Sequence, residues 1–388
     1  MPQRWLGAVG VVVGTWMGLG SVGAEPAIAL STHSHTIATA ETQVLPAGPG
    51  SFLPDFPSFN SELLDQQLAF YGNYLLSNGP PDVMIVGSSR ALQGVDPTIL
   101  QETLAQRGLP YVTVYNFSIN GATAQVVDFK LRQLLAREQL PRLVLWADGS
   151  RAFNSGRADV TYNGIVSSPG YQQLMAGDRP IPQLPPLAFY DVEAFCVDAM
   201  HLAGTAFGRL PCLLPPELPG FPAPVARALT ATPQHPNIFD LNESGFRAVT
   251  DQYNPATYYR QFPRVAGRYD SNYATFQLGG VQAEATLQVA RYLGDRQIPL
   301  IFVSLPLNRD YMDRFRQTRE QQFQQYMQRL ANQGDFIFRD LRQQWTTQHS
   351  YFADPSHLNQ NGARAVAEYL AWDSGIPWET LIGSGTTP

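Results

Sequence analysis

Val83-Met84-Ile85-Val86-Gly87-Ser88-Ser89 reads as a short, wholly apolar strand that runs straight into a glycine and two serines. Four apolar residues bounded by turn residues suit a strand buried on both faces, as in a parallel sheet covered by helices. Helical spacing brackets it on each side. Upstream, Leu63, Leu64, Leu68, Tyr71, Leu75 and Leu76 recur from near Ser61, and Asn78-Gly79-Pro80-Pro81 stops that helix. Downstream, Asp96-Pro97 offers an N-cap carboxylate and a proline at the first helical position, Ile99, Leu100, Thr103 and Leu104 form an inner face, and Gly108 marks the end.

The alternation continues. Val112 to Asn116 is the second expected strand, Val126, Val127, Leu131, Leu134 and Leu135 mark a helix, and Leu143 to Trp146 is the third strand. Late in the chain, Leu287, Val289, Ala290 and Leu293 lie in a helix ending at Gly294, before strand Leu300 to Val303. A Gln-rich helix carrying Met312, Phe315, Phe323, Tyr326, Met327 and Leu330 then leads through Gly334 to strand Phe336 to Phe338. The pattern predicts an α/β fold: a three-layer, flavodoxin-like parallel sheet of about five strands. Ligands in such sheets bind beyond the carboxyl ends of the strands, where Gly87-Ser88-Ser89 stands.

Between the halves, from 154 to 276, alternation is lost, and thirteen of the 31 prolines fall between Pro169 and Pro236. Proline removes amide donors, so this is a Pro-rich insertion of loops and short helices. Its aromatics, among them Phe189, Tyr190, Phe195, Phe221, Phe246, Tyr258 and Tyr259, suit an ordered cap beside the crevice or a separate interaction surface.

The folded domain is expected over 58–376, with a tail at 377–388. The amino end reads as an export signal over 1–24: Arg4, an apolar Gly-rich stretch from Trp5 to Gly23, then Val22-Gly23-Ala24 before a cleavage point. An uncleaved membrane anchor is the alternative, and either way the folded part would lie outside the cytoplasm, periplasmic or extracellular. Residues 25–57 read as a flexible linker, and its His33 and His35 lack further metal ligands. Cys196 and Cys212 suit an oxidising compartment, as one bridge or as two buried thiols.

Charge excludes one class of partner. The net charge is -6, and of 26 basic residues only Lys130 is a lysine, with the arginines scattered. No basic run exists to hold a phosphate backbone, so nucleic acid is not expected as a partner. There is no phosphate-binding Gly-x-x-x-x-Gly-Lys, no His-Glu-x-x-His, no Cys-x-x-Cys and no Gly-x-Ser-x-Gly, so neither metal nor cofactor is expected.

Chemistry enters with Asp354-Pro355-Ser356-His357, just before the last apolar helix. One short turn lets the Asp354 carboxylate reach one imidazole nitrogen of His357, leaving the other to take a proton from a serine. Each motif has a plain structural reading, as a turn or a helix cap. Their order, with Ser early and Asp then His before the final helix, favours a catalytic triad. His201, His235 and His349 lack comparable settings.

Gly87-Ser88-Ser89, the run Asn116-Phe117-Ser118-Ile119-Asn120-Gly121-Ala122-Thr123 and the run Asp354-Pro355-Ser356-His357-Leu358-Asn359 resemble blocks of the SGNH (GDSL-type) hydrolase superfamily, over roughly residues 80 to 150 and 285 to 372. The family's first block reads Gly-Asp-Ser, so the resemblance implies Ser89 as nucleophile, with Ser88 in place of the aspartate. It implies an oxyanion site from the amides of Ser89 and Gly121, with Asn120 beside them. The Gly-Ser-Ser variant is similar to exported acyl-transfer members, such as those that transfer D-alanyl groups to teichoic acid or O-acetylate exopolysaccharides, often beside a membrane-bound O-acyltransferase.

The third block departs from the pattern. Where the family has Gly-x-Asn-Asp, with the asparagine a further oxyanion donor, this chain has Ala147-Asp148-Gly149-Ser150-Arg151-Ala152-Phe153-Asn154. Arg90, Asp148, Arg151 and Asn154 are candidates for substrate binding, Arg151 toward an anionic group, with an Asp148–Arg151 ion pair as the alternative. The expected function is that of an exported serine esterase or O-acyltransferase acting on O-acyl groups, acetyl foremost, of an envelope or secreted glycan through Ser89, His357 and Asp354. A general lipase or small-ester hydrolase, and a catalytically silent scaffold that binds glycan or an acyltransferase, are the alternatives.

Overall fold

The computed structural model describes residues 56–181, 237–262, 273 and 275–381. The expected leader, nearly all of the linker, Cys196, Cys212 and the proline pairs at 185–186 and 215–216 lie outside the described residues.

Five parallel strands form one sheet in the order β2-β1-β3-β4-β5: β1 Val83–Val86, β2 Val114–Asn116, β3 Leu143–Asp148, β4 Leu300–Ser304 and β5 Ile337–Asp340. Val83 pairs with Val114 on one side and Leu143 on the other, Val144 pairs with Leu300, and Ile301 with Ile337. Strand alternation divides the core in two. Met84, Val86, Tyr115, Val144, Trp146 and Phe302 pack under helices Glu62–Asn78, Gly280–Gly294 and Arg314–Gly334. Val83, Ile85, Val114, Leu145, Ile301 and Val303 face the other way, against Pro97–Gln106 and Gln360–Trp372. This is the three-layer α/β fold that the buried strands imply.

The chain runs from β1 to β2 on one side and then to β3 on the other, so the strand order switches between β1 and β3. A crevice opens at the carboxyl ends of such neighbours. Ser88, just beyond β1, is bonded across it to Asp148, the last residue of β3.

Several boundaries differ from the sequence reading. β2 begins at Val114 because the Val112 amide closes a turn on the Leu109 carbonyl. The Gln-rich helix starts at Arg314, since Asp313 caps it by accepting from the Arg316 amide at 2.8 Å, and Met312 lies outside. Phe336 precedes β5 because its amide returns to the Ala331 carbonyl, with Asp335 left-handed at φ 53°. The helix after β2 is α-helical only over Ala124–Asp128 and widens into a π-helical turn at Phe129–Leu134.

The expected tail is partly core. Trp378 is fully buried, and its indole N–H donates to the Leu370 carbonyl at 3.0 Å. The described parts of the insertion pack on the sheet domain. Ile165, Leu174 and Ile181 join the first core beside two short helices, Val160–Val166 and Pro169–Met175. Further on, the Ser244 carbonyl accepts from the Asn116 amide on the β2 edge, the Arg247 amide donates to Leu92, and the Tyr253 amide donates to Phe352. Among the described residues no helix is long and apolar enough to cross a membrane.

Candidate active site

Gly87 makes the sharp exit from β1. Its φ is 150°, and a Cβ there would stand 2.1 Å from the Ala147 carbonyl oxygen and 2.8 Å from the Ala91 side chain. Only glycine lets β1 approach β3 so closely at this turn. Ser88 then caps the one-turn helix Ser89–Leu92. Its amide donates to Asp148 Oδ2 at 2.8 Å and its hydroxyl to Asp148 Oδ1 at 3.0 Å. With Ser88 held against β3, half-buried Ser89 stands at the front of the turn.

The carboxyl-terminal motif forms a small antiparallel hairpin of β6, Phe352–Asp354, and β7, His357–Leu358, in which Asp354 pairs with His357. Asp354 Oδ1 accepts from the amides of Ser356 at 2.7 Å and His357 at 3.0 Å, which fixes the carboxylate. His357 Nδ1 lies 2.9 Å from Asp354 Oδ2, and His357 Nε2 lies 3.0 Å from Ser89 Oγ across 268 positions of sequence. A carboxylate beside Nδ1 favours the proton there, which leaves the Nε2 lone pair to accept from the Ser89 hydroxyl. Asn359 anchors the hairpin: its amide group donates to the carbonyls of Asp251, Ser350 and Phe352 while its Oδ1 caps the last helix.

The segment after β2 extends the pairing with β1, since the Phe117 amide donates to Ile85 at 2.8 Å and the Ile119 amide to Gly87 at 3.2 Å. That register carries exposed Asn120 and Gly121 beyond the Gly87 turn. Gly121 has φ 71°, and a Cβ would meet Thr161 Oγ1 at 2.6 Å, so the loop needs glycine for conformation as well as space. Among the described residues no acceptor is bonded to the amides of Ser89 or Gly121.

Of the four residues expected to bind substrate, three are turned inward. Arg90 is buried, and its guanidinium donates to the carbonyls of Leu305 at 2.8 Å and Pro306 at 3.0 Å. Gly149 makes room for it, since a Cβ there would fall 1.8 Å from Arg90 Nη1. Asp148 is buried as well and bonded to Ser88, with the Arg90 charge acting on it, so the expected pairing with Arg151 gives way to a role in holding the Gly87-Ser88-Ser89 turn. Burial pushes its carboxyl up, opposed by the Arg90 charge and the bonds from Gly149 and Ser88. Asn154 is buried, its Oδ1 accepting from the amides of Gly156 and Gln277. Arg151 alone stays at the rim: its guanidinium donates to Ser356 Oγ at 3.3 Å, next to His357.

Two features went unread in the sequence. Glu320, from the long helix, is buried and accepts from the Ser150 and Tyr273 hydroxyls, bracing the turn behind Arg151. Lys130 is fully buried, and its ammonium donates to the Phe117 carbonyl. A signal for it existed, because Lys130 falls three and four positions after Val127 and Val126, on the apolar face. Among the described residues no group of three His, Cys, Asp or Glu side chains is placed to hold a metal ion.

The arrangement offers an oriented base, a serine hydroxyl on it, and amides at a helix start and a glycine loop. No protein-family model matches the chain, and no curated protein matches it.

Proposed function

We propose that the chain is an exported serine esterase or O-acyltransferase of the SGNH (GDSL-type) kind, acting on O-acyl groups, acetyl in particular, of an envelope or secreted glycan. The observation that carries this reading is the continuous relay Ser89 Oγ, His357 Nε2, His357 Nδ1, Asp354 Oδ2, with contacts of 3.0 Å and 2.9 Å. In this reaction Ser89 Oγ attacks the acyl carbonyl and its proton passes to His357 Nε2. The ester C–O bond then breaks, and the imidazolium returns the proton to the departing alkoxide. Water or a glycan hydroxyl completes the cycle by the same route in reverse, giving hydrolysis or transfer. The oxyanion formed at each attack would be held by the amides of Ser89 and Gly121, with Asn120 beside them. Partnership with a membrane-bound O-acyltransferase follows from the same resemblance.

Gly121→Ala tests the oxyanion assignment. Alanine keeps the amide but is strained at φ 71° and meets Thr161 Oγ1, so the donor is displaced. Loss of one such donor lowers turnover by about 10²–10³-fold, and kcat on a soluble nitrophenyl acetate should fall by up to that much. A kcat within twofold of wild type would assign Gly121 to turn geometry alone. Substrate class is read separately: release of acetate from an acetylated polysaccharide should exceed that from nitrophenyl esters at equal acetyl concentration. Efficient turnover of esters with no action on the polysaccharide would favour a general small-ester hydrolase.

A further inference from the structure

The carbonyls at the root of the Asn120-Gly121 loop are held by buried side chains. Gln67 Nε2 donates to the carbonyls of Asn116 at 3.2 Å and Ser118 at 3.1 Å, and the carbonyl between them, that of Phe117, accepts from Lys130 Nζ. The Ser118 amide is bonded to Asn116 Oδ1 at 3.1 Å. The ammonium of Lys130 also lies 5.0 Å from the centroid of the Phe117 ring, and the negative charge of Asp148 acts on it. Lys130 lies in the π-helical turn, where Phe129, Lys130 and Leu131 are buried in succession, as Val126, Val127 and Asp128 are before them.

For stability alone this is a poor choice of residue. A buried ammonium loses its hydration, and an apolar side chain of similar volume commonly does as well or better. Burial pushes the Lys130 amine down to about 7, against a partial offset from Asp148. What an apolar side chain cannot do is grip a carbonyl. We propose that Lys130 is a positioning residue, its ammonium tethering the Phe117 carbonyl and so fixing the Asn120-Gly121 amides relative to Ser89. The inference rests on the acyl-transfer reading, in which the placement of those amides sets the rate.

Lys130 is the chain's single lysine, so protein labelled with ¹³Cε-lysine gives one lysine signal. Lys130→Met should speed hydrogen exchange at the Ser118 and Ile119 amides at least tenfold and lower kcat on nitrophenyl acetate by 10- to 100-fold with KM within twofold. In wild-type protein, the lysine signal should move when a fluorophosphonate occupies Ser89 and again in Gly121→Ala. Unchanged exchange and unchanged kcat in Lys130→Met would overturn the proposal. So would a lysine signal indifferent to both Gly121→Ala and the adduct, an arm that holds even if the methionine variant does not fold. Wild-type protein that takes no fluorophosphonate, with loop amides that still respond to Lys130→Met, would remove the acyl-transfer reading and leave the tether standing.

Discussion

Ser89→Ala is expected to lower acyl turnover by roughly 10⁵–10⁶-fold, the scale of a lost triad nucleophile. Alanine leaves the fold intact, because Ser89 Oγ makes its bond to His357 at a half-buried site. What remains is catalysis by the amide donors and binding, worth about 10³–10⁴ over water. His357→Ala should cost a similar factor, and the double variant should be no worse than either single one, because the groups act as one unit. Asp354→Asn should cost about 10⁴-fold. Its amide would press the imidazole toward the tautomer with the proton on Nε2, where the Ser89 hydroxyl has no acceptor. Steady-state kinetics on a soluble ester measures all four, and full additivity of the Ser89 and His357 losses would contradict a shared relay.

The second large effect is on stability. Asp148→Ala should destabilise the fold by about 3–5 kcal/mol, because it leaves three buried donors unpaired and takes away a buried carboxylate that offsets nearby buried cations. The carboxylate accepts from the Ser88 amide, the Ser88 hydroxyl and the Gly149 amide, and its charge acts on both Arg90 and Lys130. Asp148→Asn keeps an acceptor for Ser88 and should lose less. A denaturant midpoint for Asp148→Ala equal to that of wild type would show that the crevice between β1 and β3 does not depend on this residue.

Lys130 gives a pH signature of opposite sense. Its amine sits at about 7 in the folded chain, below the ordinary 10.5, so between these values the unfolded chain binds the extra proton. Stability from this group therefore rises with pH across that window, and the burden of the buried charge is full below pH 7. The stability of Lys130→Met relative to wild type should therefore be highest at pH 6 and fall as pH approaches 10, whatever the freed Phe117 carbonyl costs at every pH. Melting temperatures of the two proteins from pH 6 to 10 measure it, and a difference that does not change with pH would contradict a buried, titrating ammonium.

The parts of the fold legible in sequence are those with local signals. β1, and β3 and β4 up to their last residues, are continuous apolar runs because both their faces are covered, and caps such as Asp96 and the stop at Gly79 are written in adjacent residues. The Asp354–His357 contact was also legible, since a four-residue turn carries it. Arg90, Asp148 and Asn154 were misread as substrate-facing because their partners lie far off in sequence: Leu305 for Arg90, Ser88 for Asp148, Gln277 for Asn154. A polar residue after a strand looks the same whether it points into a crevice or braces its wall. The packing of Trp378 was hidden for a similar reason, since the core it joins is built from strands far upstream, Val83, Leu143 and Ile301 among their residues.

Intact mass of the protein after exposure to a fluorophosphonate, followed by peptide mapping, tests the central claim most directly. One phosphonyl increment is expected, located on Ser89, forming slowly in His357→Ala and not at all in Ser89→Ala. An unmodified wild-type protein, or an increment that persists in Ser89→Ala, would contradict it.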